Sequence, residues 1–503
     1  MMKPGLLAAV LIALSACATT AATSAKADPV DTLLFAPEKA DDLSRVMITF
    51  TLDGDTDGET IFDFPERWGP DDNLGALISG RSAADAATGA ALPVATNGPS
   101  VTVTHAPGQR IRLSWTVAQD YDGLPQWGVQ RMPGMRPVLQ PVYASLIGHT
   151  FLPSVEGRDP DVSVSFDRIP TGAAFSQPSP DGTSAPIPLS TAQDSIYALG
   201  AYSFADTPST GVRVATLGGW ALSEPEIAAT TSFVIRDASK AFGDVPFSQY
   251  FVAVTPLPDL PQSSSVIGTG FTESFFILAT RNAEATELTH TIVHEILHEW
   301  ITRRMGVTDE ATDPARMWFT EGFTEYYSQL ILLDAGLIPL DGFLDNLNGL
   351  WAAYQVSPVN TMPSPDLIDH VWDSRETERL PYQRGALLAL SWDTTALRNG
   401  RPLADAIAAL INRADALRET GETPQLTDAA IEEALADAIG PRFKEDLAAH
   451  IRKGELLVAE SLVLPDCLRT EIAEDHMVRL ALAPAADPEA CRATLLKALM
   501  PPV

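Results

Sequence analysis

The stretch His290-Thr-Ile-Val-His294-Glu295-Ile-Leu-His298-Glu299-Trp300 decides how the rest of the chain is read. Leu288, Ile292, Ile296 and Trp300 recur every fourth residue, the spacing of an apolar helical ridge, and Gly306 offers a stop. Helical residues four apart lie one turn apart on the same side, so His294 and His298 present two imidazoles to one small cation, with Glu295 beside them. Zinc accepts such ligands in tetrahedral geometry, and a catalytic site leaves one position for water. Bound zinc brings the pKa of water from about 15.7 to about 7, within reach of a carboxylate base. A third protein ligand must then come from elsewhere, and a carboxylate on a following helix suits the metal. His290 lies one turn before His294, but a fourth protein ligand would close the site, so it is read as a neighbour.

The chain has 503 residues, 45% of them apolar, and a net charge of −31. At roughly 150 residues per domain the length suggests about three domains. The acidity is spread along the chain and excludes a phosphate-backbone binder, which needs clustered Lys and Arg, so no nucleic-acid partner is expected.

Residues 1–27 read as a targeting segment and tether. Lys3 precedes the apolar run Leu6 to Leu14, which is too short to span a bilayer. Leu14-Ser15-Ala16-Cys17 then resembles a bacterial lipobox, with cleavage before Cys17 and lipid on its thiol. The other reading is an ordinary secretory leader cut near Ala22. Ala18 is not the aspartate that commonly retains such lipoproteins at the inner membrane. The expected location is therefore the cell envelope, as an outer-membrane lipoprotein facing the periplasm and held by its N-terminal lipid. Export permits a disulfide between Cys467 and Cys491, two buried free thiols being the alternative.

Residues 28–200 read as β-rich. Arg45 to Leu52 is rich in strand formers, and Val101 to Val117 reads as a hairpin that turns at Ala106-Pro107-Gly108-Gln109 and leaves His105 structural. Ser223-Glu224-Pro225-Glu226 combines a capping box with an early proline, so a helix should run from there toward Phe242. Gln249 to Val254 and Phe271 to Leu278 read as strands leading into the histidine helix. Past residue 401 the chain reads as helical, with Leu403, Ile407 and Leu410 on one stripe, Thr427 capping a second helix that Gly440 ends, and Phe443, Leu447 and Ile451 on a third.

The second half of the site is Trp318-Phe319-Thr320-Glu321-Gly322-Phe323-Thr324-Glu325-Tyr326-Tyr327. H-E-x-x-H-x-W followed by W-x-x-E-G-F-x-x-Y-Y resembles the gluzincin zinc metallopeptidases, above all the glycyl-aminopeptidase family and its relatives of the aminopeptidase N type. The resemblance implies a thermolysin-like catalytic domain at 201–400, one zinc per chain, and Glu321 as third ligand. The 22 residues between His298 and Glu321 exceed the interval of the aminopeptidase N type, which implies a longer loop around Thr308 to Pro314. Glu325, one turn after Glu321, is a candidate acceptor for a zinc-bound histidine, an exposed surface carboxylate being the alternative. Tyr382-Gln383-Arg384-Gly385-Ala386 resembles the family's Y-x-[KR]-G-A segment, which opens a helix and carries a catalytic tyrosine that stabilises an oxyanion. Gly270-Phe271-Thr272-Glu273 resembles the family's G-x-x-E segment, in which the glutamate sits on an edge strand and holds the substrate's α-ammonium. The family's relatives often add a PDZ domain, but only about forty residues follow Leu464, so none is expected.

The fold class expected is α+β: a β-rich N-terminal domain, a thermolysin-like zinc catalytic domain, and a helical C-terminal region at 401–503 with a short tail. The activity implied is hydrolysis of peptides by zinc-activated water, with Glu295 as base, most simply from the N-terminus. The alternatives are an endopeptidase on the same scaffold and a catalytically silent envelope lipoprotein that binds a partner.

Overall fold

Strand-forming residues alternate with polar ones over much of the first 200 positions, and they build stacked, mostly antiparallel sheets. In the computed structural model, which describes residues 30–500 except 70, 127–134, 244–246, 248, 261 and 310, a seven-stranded sheet centres on Asp31–Lys39, Asp42–Asp53 and Arg110–Ala118. A four-stranded sheet that includes Glu59–Asp63 and Ser100–Thr104 packs on it over a shared apolar core. The leader and Cys17 lie outside the described residues. No described helix is long and apolar enough to cross a membrane.

The expected hairpin over Val101 to Val117 does not form. Ser100–Thr104 pairs with Glu59–Asp63 and Val94–Asn97, whereas Arg110–Ala118 pairs with Asp42–Asp53 and Ile78–Asp85. Both strands point their apolar residues into one core, so they stack face to face and the turn carries the chain between sheets. His105 marks the crossing: its ring nitrogens lie 2.8 Å from Thr60 Oγ1 and 2.8 Å from its neighbour's carbonyl, that of Ala106.

A second sheet forms the centre of the molecule. Its strands are β1 (Ser203–Thr207), β2 (Val212–Thr216), β3 (Tyr250–Leu257), β4 (Val266–Phe271) and β5 (Ser274–Thr280), in the order β1-β2-β3-β5-β4. Strands β2, β3 and β5 run parallel, and β4 returns antiparallel to form the edge. Every residue of β3 and β5 is buried, as expected for strands covered on both faces. Helix α1 (Glu224–Phe242) joins β2 to β3 and starts where the capping box sets it, with Glu226 accepting from the Ser223 N–H at 2.8 Å.

Helix α2 (Ala285–Leu297) follows β5 and carries the histidines. It stops short of Trp300, against expectation. His298 is its C-cap, still in right-handed helical geometry, and tighter turns follow. Trp300 is drawn the other way because its buried indole donates to the Gly243 carbonyl at 2.8 Å. At Gly306 a side chain is impossible: φ is +130° and a Cβ would lie 2.7 Å from the Pro424 carbonyl oxygen. The segment after it is pinned to the C-terminal part by the Val307–Pro424 and Leu426–Val307 backbone bonds.

Four helices complete the metal-side architecture: α3 (Met317–Asp334), α4 (Leu340–Val356), α5 (Arg375–Arg398) and α6 (Ala404–Glu419). Tyr382 does not open its helix. Ser374 caps α5 well upstream, where its Oγ accepts from the Thr377 N–H at 3.1 Å, so Tyr382 lies inside the helix just after Pro381. Where α3 meets α5 there is no room for side chains. A Cβ on Gly322 would sit 2.4 Å from Gly385 Cα, and one on Gly385 would sit 2.1 Å from the Trp318 carbonyl oxygen. One apolar core extends from Val212 on β2 to Ala498.

The stretch after Leu464 is not merely a tail. Strands Leu468–Ile472 and Val478–Leu482 form a hairpin, and a disulfide joins Cys467 to Cys491. Side-chain amides of α4 grip its backbone: Asn348 bonds Leu480 in both directions, and Gln355 does the same with Val478. The chain as a whole is α+β, β-rich at the N-terminus and helical toward the C-terminus.

Gly385→Ala should cost about 1–3 kcal/mol or more in chemical denaturation, the range for forcing a methyl into a packed site, because backbone cannot yield as a side chain does. A neutral effect would contradict the glycine crossing of α3 and α5.

Candidate functional site

The site gathers where α2, α3 and α5 meet beneath edge strand β4. Among the described residues, His294, His298 and Glu321 form the one group of three metal-capable side chains, with ligand atoms all within 4.8 Å of one another. Glu321 Oε2 lies 3.1 Å from His294 Nε2 and 3.4 Å from His298 Nε2. Ligands of a tetrahedral zinc at about 2.0–2.1 Å stand about 3.3 Å apart, so these three residues fit that ion. The helix carrying the histidines and the helix carrying the glutamate meet through the core of the molecule, which fixes the triad before any metal arrives.

Behind the triad stands Glu325. Its Oε2 lies 3.4 Å from His294 Nδ1 and its Oε1 lies 3.1 Å from His290 Nε2. The His294 contact is close enough for charge attraction but lacks hydrogen-bond alignment, so Nδ1 counts as unpaired by angle. A carboxylate in that position orients an imidazole and raises its basicity as a ligand. The helix neighbour Gln329 donates to Glu325 at 3.0 Å and is itself bonded by Asn346 at 2.7 Å, so the support extends to α4. Glu325 is therefore a buried partner of the histidines rather than a surface carboxylate.

Glu295 faces the edge strand. A Cβ on Gly268 would collide with it at 2.2 Å from Oε1, and one on Gly270 would lie 3.8 Å from Oε2. Alternate residues of a strand share a face, so the two glycines make a bare backbone surface against which the carboxylate rests. Tyr382 approaches from α5, its ring 5.7 Å from that of His294 and nearly parallel to it. Glu273 is not on the edge strand as expected. It occupies the tight turn between β4 and β5 with φ +51°, because Phe271 and Ser274 already close the hairpin. Its burial is partial and raises its carboxyl above the usual range, with the Gln177 side chain opposing the shift.

Several residues of this site went unread in the sequence. Glu299 is buried just past the end of the histidine helix, close enough to the turn at Glu273 for the two to influence each other's charge. Arg303 lies 3.2 Å from Asp194 and 3.9 Å from Glu299. Asp194, contributed by the β-rich part, accepts from the Thr272 N–H at 2.7 Å and its hydroxyl at 2.6 Å. Glu299 sits within the quoted stretch and Gly268 one strand period before Gly270, so local patterns pointed at both. Asp194 carried no such signal.

Charge in the site follows from burial and crowding. Burial pulls the His294 imidazole down, but its hydrogen bond to Glu321 and the close Glu325 carboxylate overcome this and raise it to about 10. Burial opposes ionisation of Glu321 and Glu325, yet the facing histidines hold both well below the usual carboxylate range. Burial raises Glu295, with His298 and His294 pulling the other way. Burial, then Glu321, pushes the Tyr382 phenol well above its ordinary value, so it remains a proton donor. Glu299 is pushed up to about 8 by burial against the pull of Arg303.

Comparison with known proteins gives this geometry a context. The family model of the M61 glycyl aminopeptidases matches residues 287–375, the span that holds both halves of the metal motif. The chain resembles the glycyl-aminopeptidase gluzincins. Tyr382 lies beyond the matched span of that glycyl-aminopeptidase model. Solved structures similar in fold include an aminopeptidase N family protein from Idiomarina loihiensis, at TM-score 0.68 and 16% identity, over 86% of this chain and 78% of that one. An M1 zinc metallopeptidase from Deinococcus radiodurans matches at TM-score 0.51 and 17% identity, over 86% of this chain and 95% of the other. A mutant of an M1 zinc metallopeptidase from the same organism, bound to a Tyr-Ser-Ala substrate, matches at TM-score 0.50 and 18% identity, over 85% and 94% of the two chains. No curated protein sequence matches this glycyl-aminopeptidase-like chain.

Protons and metal compete at His294. Its pKa is 6.5 in an unfolded chain and about 10 in the metal-free fold, so its stabilising charge is fully present below pH 6.5 and lost as pH rises through 10. Zinc requires the neutral imidazole, so loading the metal-free protein at pH 8 should release at least one proton per chain, that of His294, with a further contribution from ionisation of the bound water. Calorimetry in buffers of different ionisation enthalpy measures this, and metal uptake without proton release would contradict the charge assignment.

Proposed function

We propose that the chain is a zinc metallopeptidase that trims peptides from their N-terminus, exported and lipid-anchored through Cys17 to the outer membrane, facing the periplasm. On this reading residues 201–400 form a thermolysin-like catalytic domain, residues 28–200 a β-rich domain packed beside it, and residues 401–503 a helical region. The observation that carries the peptidase reading is the juxtaposition of the His294–His298–Glu321 triad with Glu295 and Tyr382.

His294, His298 and Glu321 would hold one zinc ion, which supplies Lewis acidity at the scissile carbonyl and at the attacking water. Glu295 takes the proton of that water; burial has raised its pKa toward the range a general base needs. Tyr382 donates its phenolic hydrogen bond to the oxygen that gains charge as the carbonyl is attacked. Glu295 then returns the proton to the departing amine. The substrate backbone is read by β4, an edge strand with glycines on the face toward Glu295, where an extended peptide adds as a further strand.

Trimming from the N-terminus needs an anion to hold the α-ammonium. Arg303 at the end of β4 is already matched by Asp194, and Glu299, raised to about 8, is largely neutral at pH 7. Glu273 in the adjoining turn is thus the carboxylate left without a cationic partner among the described residues to meet an ammonium group. Glu273 is the member we assign to it.

Glu295→Gln should keep its zinc and lose turnover by ~10²–10⁴, the usual size of a general-base contribution. Retained activity in a metal-replete variant would remove Glu295 from the mechanism. Glu273→Ala should lower hydrolysis of free-amine aminoacyl substrates by a few kcal/mol, as for loss of a charge-assisted pair, and N-acetylated peptides should be poor substrates of the parent. Efficient internal cleavage of blocked peptides, indifferent to Glu273→Ala, would instead indicate an endopeptidase.

A further inference from the structure

Helix α5 brings more than Tyr382 to the site. Residues 375, 378, 379 and 382 follow the i, i+3, i+4, i+7 spacing of a single helix face. That face carries Arg375, Glu378, Arg379 and Tyr382, and so leads from the metal ligands toward the helix N-terminus. Arg379 lies over the Tyr382 ring, its guanidinium carbon 5.2 Å from the centroid. Arg375 and Arg379 are exposed, and neither forms an ion pair among the described residues. Glu378 is half-buried between them and feels both arginines and the ligand Glu321. Two exposed guanidinium groups stand on this line beside Tyr382, with Glu378 between them and Glu376 on the flank, in a chain whose net charge is −31.

Exposed arginines beside Tyr382 are not needed by the chemistry proposed above. The attacked carbonyl is neutral, the departing amine is neutral or cationic, and the α-ammonium would be repelled. What such guanidinium groups suit is a carboxylate. An arginine fork matches carboxylate oxygens in pairs, and a guanidinium seated on an aromatic ring has fewer conformations to lose when it binds. The helix rises about 1.5 Å per residue, so Arg379 stands about 4.5 Å and Arg375 about 10 Å back along the axis from Tyr382. An extended peptide advances about 3.3 Å per residue, which places the carboxylate within about three residues of the bond being cut.

We propose that Arg379 and Arg375 form a carboxylate-recognising subsite that selects short or acidic peptides, reading either an acidic side chain or a free C-terminal carboxylate close to the scissile bond. The proposal rests on the peptidase reading given above. It adds a substrate class that neither the metal motif nor Tyr382 specifies.

Matched peptides test it on the zinc-loaded full chain. One pair differs only in Glu against Gln on the C-terminal side of the cleaved bond, and a second compares a dipeptide with its C-terminal amide. The parent should prefer the charged member of at least one pair by roughly threefold to tenfold in kcat/KM, the range for an exposed charge-assisted contact. The first pair reports a side-chain carboxylate and the second a chain terminus. In Arg379→Gln and Arg375→Gln the ratio should fall toward one. If Arg379 only steadied the Tyr382 ring, Arg379→Gln would slow both members equally and leave the ratio unchanged, which would overturn the subsite. A parent that cleaves peptides with no preference for the carboxylate would overturn it too and leave the peptidase reading standing. No cleavage of any peptide by the metal-replete parent would remove both.

Discussion

Two glycines facing each other hold this architecture together. At Gly322 and Gly385 the backbones of α3 and α5 approach so closely that a methyl on either would strike main-chain atoms. Glu321 is the residue before the first glycine, and Tyr382 lies three residues before the second. The crossing therefore determines how far the metal-ligand carboxylate stands from the phenol. A larger residue on either helix would push them apart, and a misplacement of about 1 Å is enough to cost a catalytic site much of its rate. The E-G and R-G-A segments pair a chemical group with the glycine that positions it.

The same device recurs on the opposite wall. Gly268 and Gly270 strip the inner face of β4 so that the Glu295 carboxylate rests on bare backbone, where a side chain at Gly268 would collide. The end of that strand is held by Asp194 from the β-rich part, which binds Thr272, while Glu299, just past the histidine helix, lies buried beside the turn. Trp68 stacks between His149 and Phe271 at the same junction, at 5.7 and 5.6 Å. The N-terminal sheets thus reach the edge strand through a charged network and an aromatic stack.

Much of the centre was legible because its signals are local. Four-residue spacing on a helix places His294 and His298 together whatever surrounds them, and the capping box at Ser223 sets the start of α1. Glu321 and Tyr382 were reached through motif resemblance, since no spacing rule links them to the histidines. What stayed hidden depends on long-range packing. The strand containing Val101 and the strand containing Ile111 alternate as a hairpin would, and only the demand of a shared core assigns them to different sheets. The motif resemblance put Tyr382 at a helix start, whereas the cap at Ser374 starts α5 earlier. Glu273 left the strand because a two-residue turn was needed there, and Asp194 could not be found from its own neighbours in sequence.

The account turns on a metal held by His294, His298 and Glu321. A crystal of the zinc-loaded protein, with anomalous difference maps recorded on either side of the zinc absorption edge, tests this most directly. The result predicted is one peak per chain, about 2.0–2.2 Å from the Nε2 atoms of both histidines and from a carboxylate oxygen of Glu321. A peak ligated elsewhere, or no zinc peak from protein loaded at neutral pH, would contradict the account.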